Sequence, residues 1–453
     1  MKQFLYILPM ALFPVTAQVV DAQAVFQAAL DEVKEKQSEN LGSVVAAVLE
    51  ATGGDEQAYW RMMQSAADAG HPVALTWLAR QTLQQLQIQG LDPETAPQAV
   101  KLRAAMEQAA ATGYIPAVVE MAHFCGSGVG APPDEKKGME FLMQACKANS
   151  PRARAAYLLL SGRLEKDGAS SPAVVAELKR QNYYVEEFLS ALVANNDEAR
   201  SQEWLTQAAS HGSPGAAGLL AMYYLQQGKD SLGYDFLKLA AERDHAESLA
   251  HLAAFTLPGA ELPDGLKPNV TQDIDVAIRL FQRAALLGYT PALVPLAGEY
   301  HKQPEKYPAE RVYELYRRAA DAGDPRGGVA YAYCLATGRG CAADAGRGVM
   351  VLRQLVDAGV AFANLALADL YFNGSGVQAD MPKALSYLSA AASAGVSKVY
   401  TLMAVLAQLG NASKAPEPAR ARMYLRMAEE RGEPEVQAAF DEMVKLGTWK
   451  FIP

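Results

Sequence analysis

An all-α, right-handed superhelical solenoid of about ten antiparallel helix pairs is the fold class this sequence predicts. Three observations predict it. An alanine-rich run ending in a tight turn recurs along the chain, and the turn residues are Gly70, Gly113, Asn149, Gly212, Asp244, Gly288, Gly323, Gly359, Gly395 and Gly432. They return roughly every 36 residues, a period that marks a repeat array. The stretch after each turn carries apolar residues at helical rather than strand spacing.

Composition agrees with such an array. Half of the 453 residues are hydrophobic and the mean hydropathy is −0.05, which suits a folded chain rather than a disordered one. A solenoid accommodates this length because each repeat packs only on its neighbours. The net charge is −9 and no Lys/Arg stripe is present to neutralise phosphates, which argues against nucleic acid as a partner.

Residues 1–24 read as a secretory signal. Lys2 precedes an apolar run from Phe4 to Phe13, and small-residue exits follow at Val15-Thr16-Ala17 and Ala22-Gln23-Ala24. That run is too short to cross a bilayer, which needs about 20 apolar residues, and no later stretch is apolar enough. The expectation is a periplasmic or secreted protein that does not span a membrane. Residues 25–54 then form an N-terminal cap helix, 55–440 the array, and 441–453 a C-terminal cap with Thr448-Trp449-Lys450-Phe451 as a lid.

The unit from Gly359 to Gly395 shows the logic of one repeat. Ala363, Leu367, Leu370 and Tyr371 share one face of a helix. Asn373-Gly374-Ser375-Gly376 breaks it, Asp380 caps a second helix, and Pro382 suits that helix's first turn. Across units a large residue recurs at the same place in the first helix: Leu78, Met121, Leu220, Leu252, Leu296, Tyr331, Leu367, Met403 and Phe440. Alanine usually follows it, as at Ala79, Ala122, Ala221, Ala253, Ala297, Ala332, Ala368 and Ala404. A large knob beside a small gap lets helices approach and interdigitate. The long interval from Asn149 to Gly212 predicts an inserted helix at about 165–197, and Leu257 to Asn269, rich in Pro and Gly, reads as a loop insertion.

Four cysteines in an exported chain raise the question of disulfides. Cys125 and Cys146 fall on the two helices of one hairpin, about 13 Å out of register at 1.5 Å per residue, which forbids a bridge. Cys334 and Cys341 straddle a helix end and its Gly338-Arg339-Gly340 turn. A local disulfide between them and a pair of buried thiols are both compatible with that spacing.

No motif points to catalysis. His71, His211 and His245 lie at helix junctions, where the helix C-terminal dipole explains a histidine. No His/Cys spacing suits zinc and His-Glu-x-x-His is missing, so neither a metal nor a cofactor is expected. Gly126-Ser127-Gly128-Val129-Gly130 follows a helix rather than a strand and reads as a hairpin turn, not a phosphate loop. Glu186-Glu187 and Glu429-Glu430 read as solvated helix faces. Of the 20 tyrosines, those such as Tyr371 and Tyr387 suit packing. Tyrosines left exposed would suit stacking on a polysaccharide.

The repeat resembles the Sel-one-like repeat family, relatives of the tetratricopeptide repeats. The resemblance rests on Gly128-Val129-Gly130-Ala131 with Asp134, on Gly338-Arg339-Gly340-Cys341 with Asp344, and on Gly374-Ser375-Gly376-Val377 with Asp380, Lys383-Ala384 and Tyr387. It covers about 55–440 and is strongest after Ala277. It implies a non-catalytic scaffold that binds a protein or peptide on the concave face built by the first helices. If tetratricopeptide geometry carries over, the residue after each small alanine lines that face: Arg80, His123, Met222, Tyr333 and Asp369. Disulfide-rich relatives are implicated in penicillin or peptidoglycan binding, which makes cell-wall glycan binding, or weak β-lactam-related activity, the alternative. Cys146 matches one cysteine of their pairs, but Arg152 and Ala153 stand where its partner would be.

Overall fold

The computed structural model describes residues 22–35, 44–46, 49, 56–88, 91–148, 150, 153, 198–210, 213–263, 265–267, 270–433 and 436–446. These residues are almost wholly helical. In chain order the helices are α1 (Ala22–Glu35), α2 (Glu56–Asp68), α3 (Pro72–Ile88), α4 (Pro97–Ala111), α5 (Ile115–Ser127), α6 (Glu135–Lys147) and α7 (Glu198–Ser210). Next come α8 (Pro214–Gln226), α9 (Asp230–Glu242), α10 (Ala246–Thr256), α11 (Ile274–Leu286), a 3-10 turn at Thr290–Ala292, α12 (Leu293–His301) and α13 (Ala309–Asp321). The chain closes with α14 (Pro325–Thr337), α15 (Ala345–Asp357), α16 (Ala363–Asn373), α17 (Met381–Ser393), α18 (Val399–Leu409), α19 (Pro418–Glu430) and α20 (Val436–Leu446). Among the described residues the only β-type pairing is one bridge, Asn411 with Lys414.

Local chemistry sets the helix boundaries. The side chains of Asp134, Asp344 and Asp380 accept the amide N–H three residues on, at 2.9, 2.9 and 3.0 Å. Each thereby satisfies an N–H that the first helical turn leaves open. The amides of the same three aspartates donate back to the carbonyls of Cys125, Leu335 and Tyr371, each at 2.8 Å, closing the hairpin. The stop signal is glycine: Gly338, for one, takes φ 73° and its amide donates to Cys334. In the turn between units, where Gly323 and Gly359 take φ 78° and 87°, Asp244 stands in the glycine position at φ 63°. Its carboxylate forms an ion pair with Arg283 on α11, a contact that offsets the cost of the left-handed backbone.

The helices pack as consecutive pairs. Eight complete pairs lie within the described residues: α3/α4, α5/α6, α8/α9, α10/α11, α12/α13, α14/α15, α16/α17 and α18/α19. First helices of successive pairs also touch, α3 with α5, α12 with α14, α14 with α16 and α18 with α20; no comparable contact joins successive second helices. Crowding on one side and splaying on the other defines curvature, with the first helices as the inner layer. The alternation of large and small residues underlies that crowding. All eight alanines that follow the large residue are buried, and so are Met121, Leu220, Leu296, Leu367 and Met403.

A tyrosine clasp recurs in every second unit. Tyr224, Tyr300 and Tyr371 occupy the same place in α8, α12 and α16. Each receives a hydrogen bond on its hydroxyl from the preceding pair: Gln202 at 2.6 Å, Gln282 at 2.5 Å and Arg353 at 3.0 Å. Each stacks on an aromatic ring of its own unit, Phe236, Tyr307 and Tyr387, with ring centroids 5.7, 3.8 and 5.7 Å apart. Lys229, Arg311 and Lys383 lie over the same three rings. The expectation that Tyr371 and Tyr387 serve packing is met.

One expectation is corrected. His245 does not sit at a helix C-terminus; it is the N-cap of α10, and its Nδ1 accepts the Ser248 amide at 3.4 Å. Helix α1 begins at Ala22, inside the stretch assigned to the signal, and α20 runs through the 440/441 boundary without a break. Cys334 and Cys341 are free thiols: the Cys341 thiol points at the Cys334 carbonyl oxygen, 3.5 Å away. Burial pushes the Cys334 thiol up to about 12, which suppresses the thiolate that disulfide chemistry requires. The described residues of the Leu257–Asn269 insertion lie between α10 and α11 and hold no helix, as a loop would. The inserted segment 165–197, His211 and Thr448–Phe451 lie outside the described residues.

Candidate functional site

The inner layer is open along its first half and closed along its second. On α3, Arg80 is half-buried; its Nε donates to Glu120 Oε1 on α5 at 2.8 Å, and Nη2 lies 2.6 Å from the same oxygen as an ion pair. Glu120 is only 7% exposed, so Arg80 bridges two units as well as facing outward. Replacing Arg80 with alanine leaves that carboxylate without its counter-charge. Because Arg80 itself is partly solvated, the expected loss is about 1–2 kcal/mol, measured by urea denaturation against Glu120→Gln/Arg80→Ala, which should recover part of it.

His123 is exposed one unit on, and Met222 is half-buried on α8. Met222 is flanked on one helical face by Leu219, 49% exposed, and by half-buried Tyr223. On α10 the exposed Ala254 and half-exposed His251 continue the strip. Leu219 and His251 were not picked out from the sequence. The signal was present, since an apolar side chain immediately before the buried Leu220 has no core position left to fill.

Tyr333 and Asp369 do not line an open face. Tyr333 is 3% exposed and Asp369 0%. The Tyr333 hydroxyl donates to Asp369 Oδ2 at 2.6 Å, and Asn373 Nδ2 donates to Oδ1 at 2.7 Å. The reason is that the equivalent positions of α14 and α16, first helices of adjacent units, carry side chains that bond to each other. Val405, at the same place on α18, is buried too. The accessible candidates are therefore Arg80, His123 and Met222, joined by Leu219 and His251.

A polar pair marks the rim of the inner layer. His301 ends α12, and its Nε2 accepts from Arg339 Nη1 at 3.1 Å, which places the ring proton on Nδ1. Burial, with the Arg339 charge second, lowers the His301 pKa below the ordinary 6.5. A histidine whose folded pKa is depressed stabilises the fold above its unfolded value and loses that contribution as pH falls through the folded one. Stability should therefore drop below about pH 6.5, and His301→Gln should flatten that drop in thermal melts taken from pH 7.5 to 5.

Among the described residues no three His, Cys, Asp or Glu side chains converge as metal ligands would, and no helix is long and apolar enough to cross a membrane. Two open clefts lie off the inner layer. One, of about 440 Å³, is lined by Met350, Arg353, Asp357 and Val377 on and beside α15. The other, of about 600 Å³, lies in the α10–α11 loop, with Glu261, Lys267 and Gln272. Neither assembles a nucleophile with a base.

Stacked helix pairs with an inner layer of first helices define an α-solenoid. This one carries Sel1 repeats: the Sel1 repeat pattern matches residues 115–150, 193–213, 264–289, 313–324 and 361–396. Sel1-repeat proteins generally mediate protein–protein interactions and are typically non-catalytic. The chitin synthase regulator SKT5 of Saccharomyces cerevisiae is 28% identical over 247 residues, 49% of this chain; the match spans 34% of that regulator's length. Two solved structures are similar. A protective antigen of uropathogenic Escherichia coli displaying an SLR fold has a TM-score of 0.43 and 18% identity, covering 95% of this chain and 88% of that one. A Sel1 repeat protein from Oxalobacter formigenes has a TM-score of 0.39 and 21% identity, covering 58% and 97%.

Proposed function

We propose that this protein is a non-catalytic scaffold that captures a protein or peptide on the inner face of α3, α5, α8 and α10. The observation that carries the reading is exposed Leu219 with half-buried Met222 and Tyr223 on α8, His123 exposed on α5 and His251 on α10, in an inner layer whose later helices are closed. Exposed apolar residues rimmed by polar ones mark binding surfaces, and solenoids commonly use their concave face for this. The likeness to a regulator of an enzyme, rather than to an enzyme, favours the same reading. The signal-like residues 1–24 add the proposal that the scaffold works after export, in the periplasm or beyond.

The test is a cross-linked pull-down of the exported protein followed by mass spectrometry, run beside Leu219→Glu/Met222→Glu. One reproducible protein partner, lost in the double variant, supports the scaffold. Retention on purified cell wall with no protein partner would replace it with glycan binding. Recovery of the protein only from the cytoplasm of its source cells would remove the export proposal.

A further inference from the structure

In a simple solenoid each unit contacts only its neighbours, and here one contact breaks that rule. Leu286, at the end of α11, is 0% exposed, yet it belongs to the hydrophobic cluster built from the N-terminal helices, with Tyr59, Met63 and Trp77. Leu287 packs against the same cluster and against the core of the α10–α13 units. Nearby, the Arg318 guanidinium on α13 lies over the Trp60 ring of α2, 5.7 Å from its centroid. Trp60 is held in place from its own side by Trp77, with centroids 4.8 Å apart, and Tyr59 meets Trp77 edge-on at 5.4 Å.

The two sides of this contact differ in how firmly they are built. Within the N-terminal unit a continuous core locks the aromatic rings. Across the contact the described residues supply one fully buried leucine, a second half-buried one and a cation–π pair. Burial of a leucine and one half-exposed cation–π pair are small contributions beside the continuous core that holds a helix pair together.

We infer that the N-terminal helices are a latch. They close the array by docking α2 onto the second helices α11 and α13, and they release as a unit while the helix pairs stay folded. The latch couples distant units and sets how widely the inner face opens.

The test uses the full chain. Leu286→Glu, which places a charge in the docked surface, and Arg318→Glu, which removes the cation at a half-exposed position, are compared with the parent by small-angle scattering, tryptophan fluorescence and hydrogen exchange. The expected result is a larger radius of gyration and a red-shifted emission. Amide exchange in α2 should be at least about tenfold faster, with that in α14–α19 unchanged and helicity preserved. Arg318→Glu keeps the inference testable should Leu286→Glu fail to fold. Scattering and α2 exchange that match the parent in Arg318→Glu would overturn it. So would an expansion that comes only with loss of helicity across the array, because the ends would then open by unfolding and not by undocking.

Discussion

Gly340→Ala is expected to destabilise the array by at least about 3–4 kcal/mol, among the largest effects a single methyl group can have. Gly340 is the second glycine of its turn, at φ 74°, and a Cβ there would run into the carbonyl oxygen of Ala309 and lie 2.5 Å from its carbonyl carbon. Those atoms are backbone at the start of α13, in the preceding unit, and cannot rotate away. The left-handed conformation adds about 1–2 kcal/mol for any L-residue with a Cβ. Gly376 is built the same way, with the Ala336 carbonyl oxygen 2.5 Å from its would-be Cβ. Gly359 separates the two causes: it has φ 87° but nothing within 4 Å, so Gly359→Ala should cost only the backbone term. Urea midpoints of Gly340→Ala and Gly359→Ala, side by side, check both. Equal losses would show that unit-to-unit contact contributes nothing at Gly340.

Tyr333→Phe is expected to cost about 2–3 kcal/mol, because it removes a charge-assisted hydrogen bond from a carboxylate with no access to water. Asn373 still donates to Asp369, which keeps the loss below that of deleting the acid. Asp369→Ala should cost more than Tyr333→Phe, and the double change less than the sum, with a coupling of about 1.5–3 kcal/mol in a double-mutant cycle. Burial, then the neighbouring Asp369 charge, raises the Tyr333 pKa above its usual 10. The sign follows: the folded state keeps the proton where the unfolded chain releases it, so stability falls as pH rises above about 10. Burial raises Tyr59 and Tyr316 in the same direction. The alkaline slope of stability should therefore shrink in Tyr333→Phe without vanishing.

The periodic part of this fold was legible because its causes are local. A turn glycine, a capping aspartate such as Asp380 and an alanine beside a large residue act within one or two turns of the chain. What sits on the inner face was less legible. Arg80, Tyr333 and Asp369 occupy equivalent places in their units, and sequence register alone treats them alike. Whether such a position is open depends on what the facing position of the next first helix carries, which is a property of two units and not of one. A hint existed in the pairing of types, since a tyrosine and an aspartate at the same place in adjacent units can satisfy each other. The N-terminal docking had no sequence signal at all. Leu286 falls in an alanine-leucine run like many others, and only the path of the whole array brings it to the N-terminal core.

The last turn before α20 has a consequence for where the array can be cut. Both carboxylate oxygens of Glu433 reach back to the start of α18, accepting from the amides of Tyr400 and Thr401 at 2.9 and 3.0 Å and from the Thr401 hydroxyl at 2.7 Å. Lys398, just ahead, is held at φ 58°. The residue that seals a helix's open N–H groups thus belongs to a later part of the chain. A truncation ending at 432 would strip α18 of that seal and leave the array to fray inward from its free end, whereas one ending just beyond Glu433 would retain it. The folding border of the final pair lies past its own second helix.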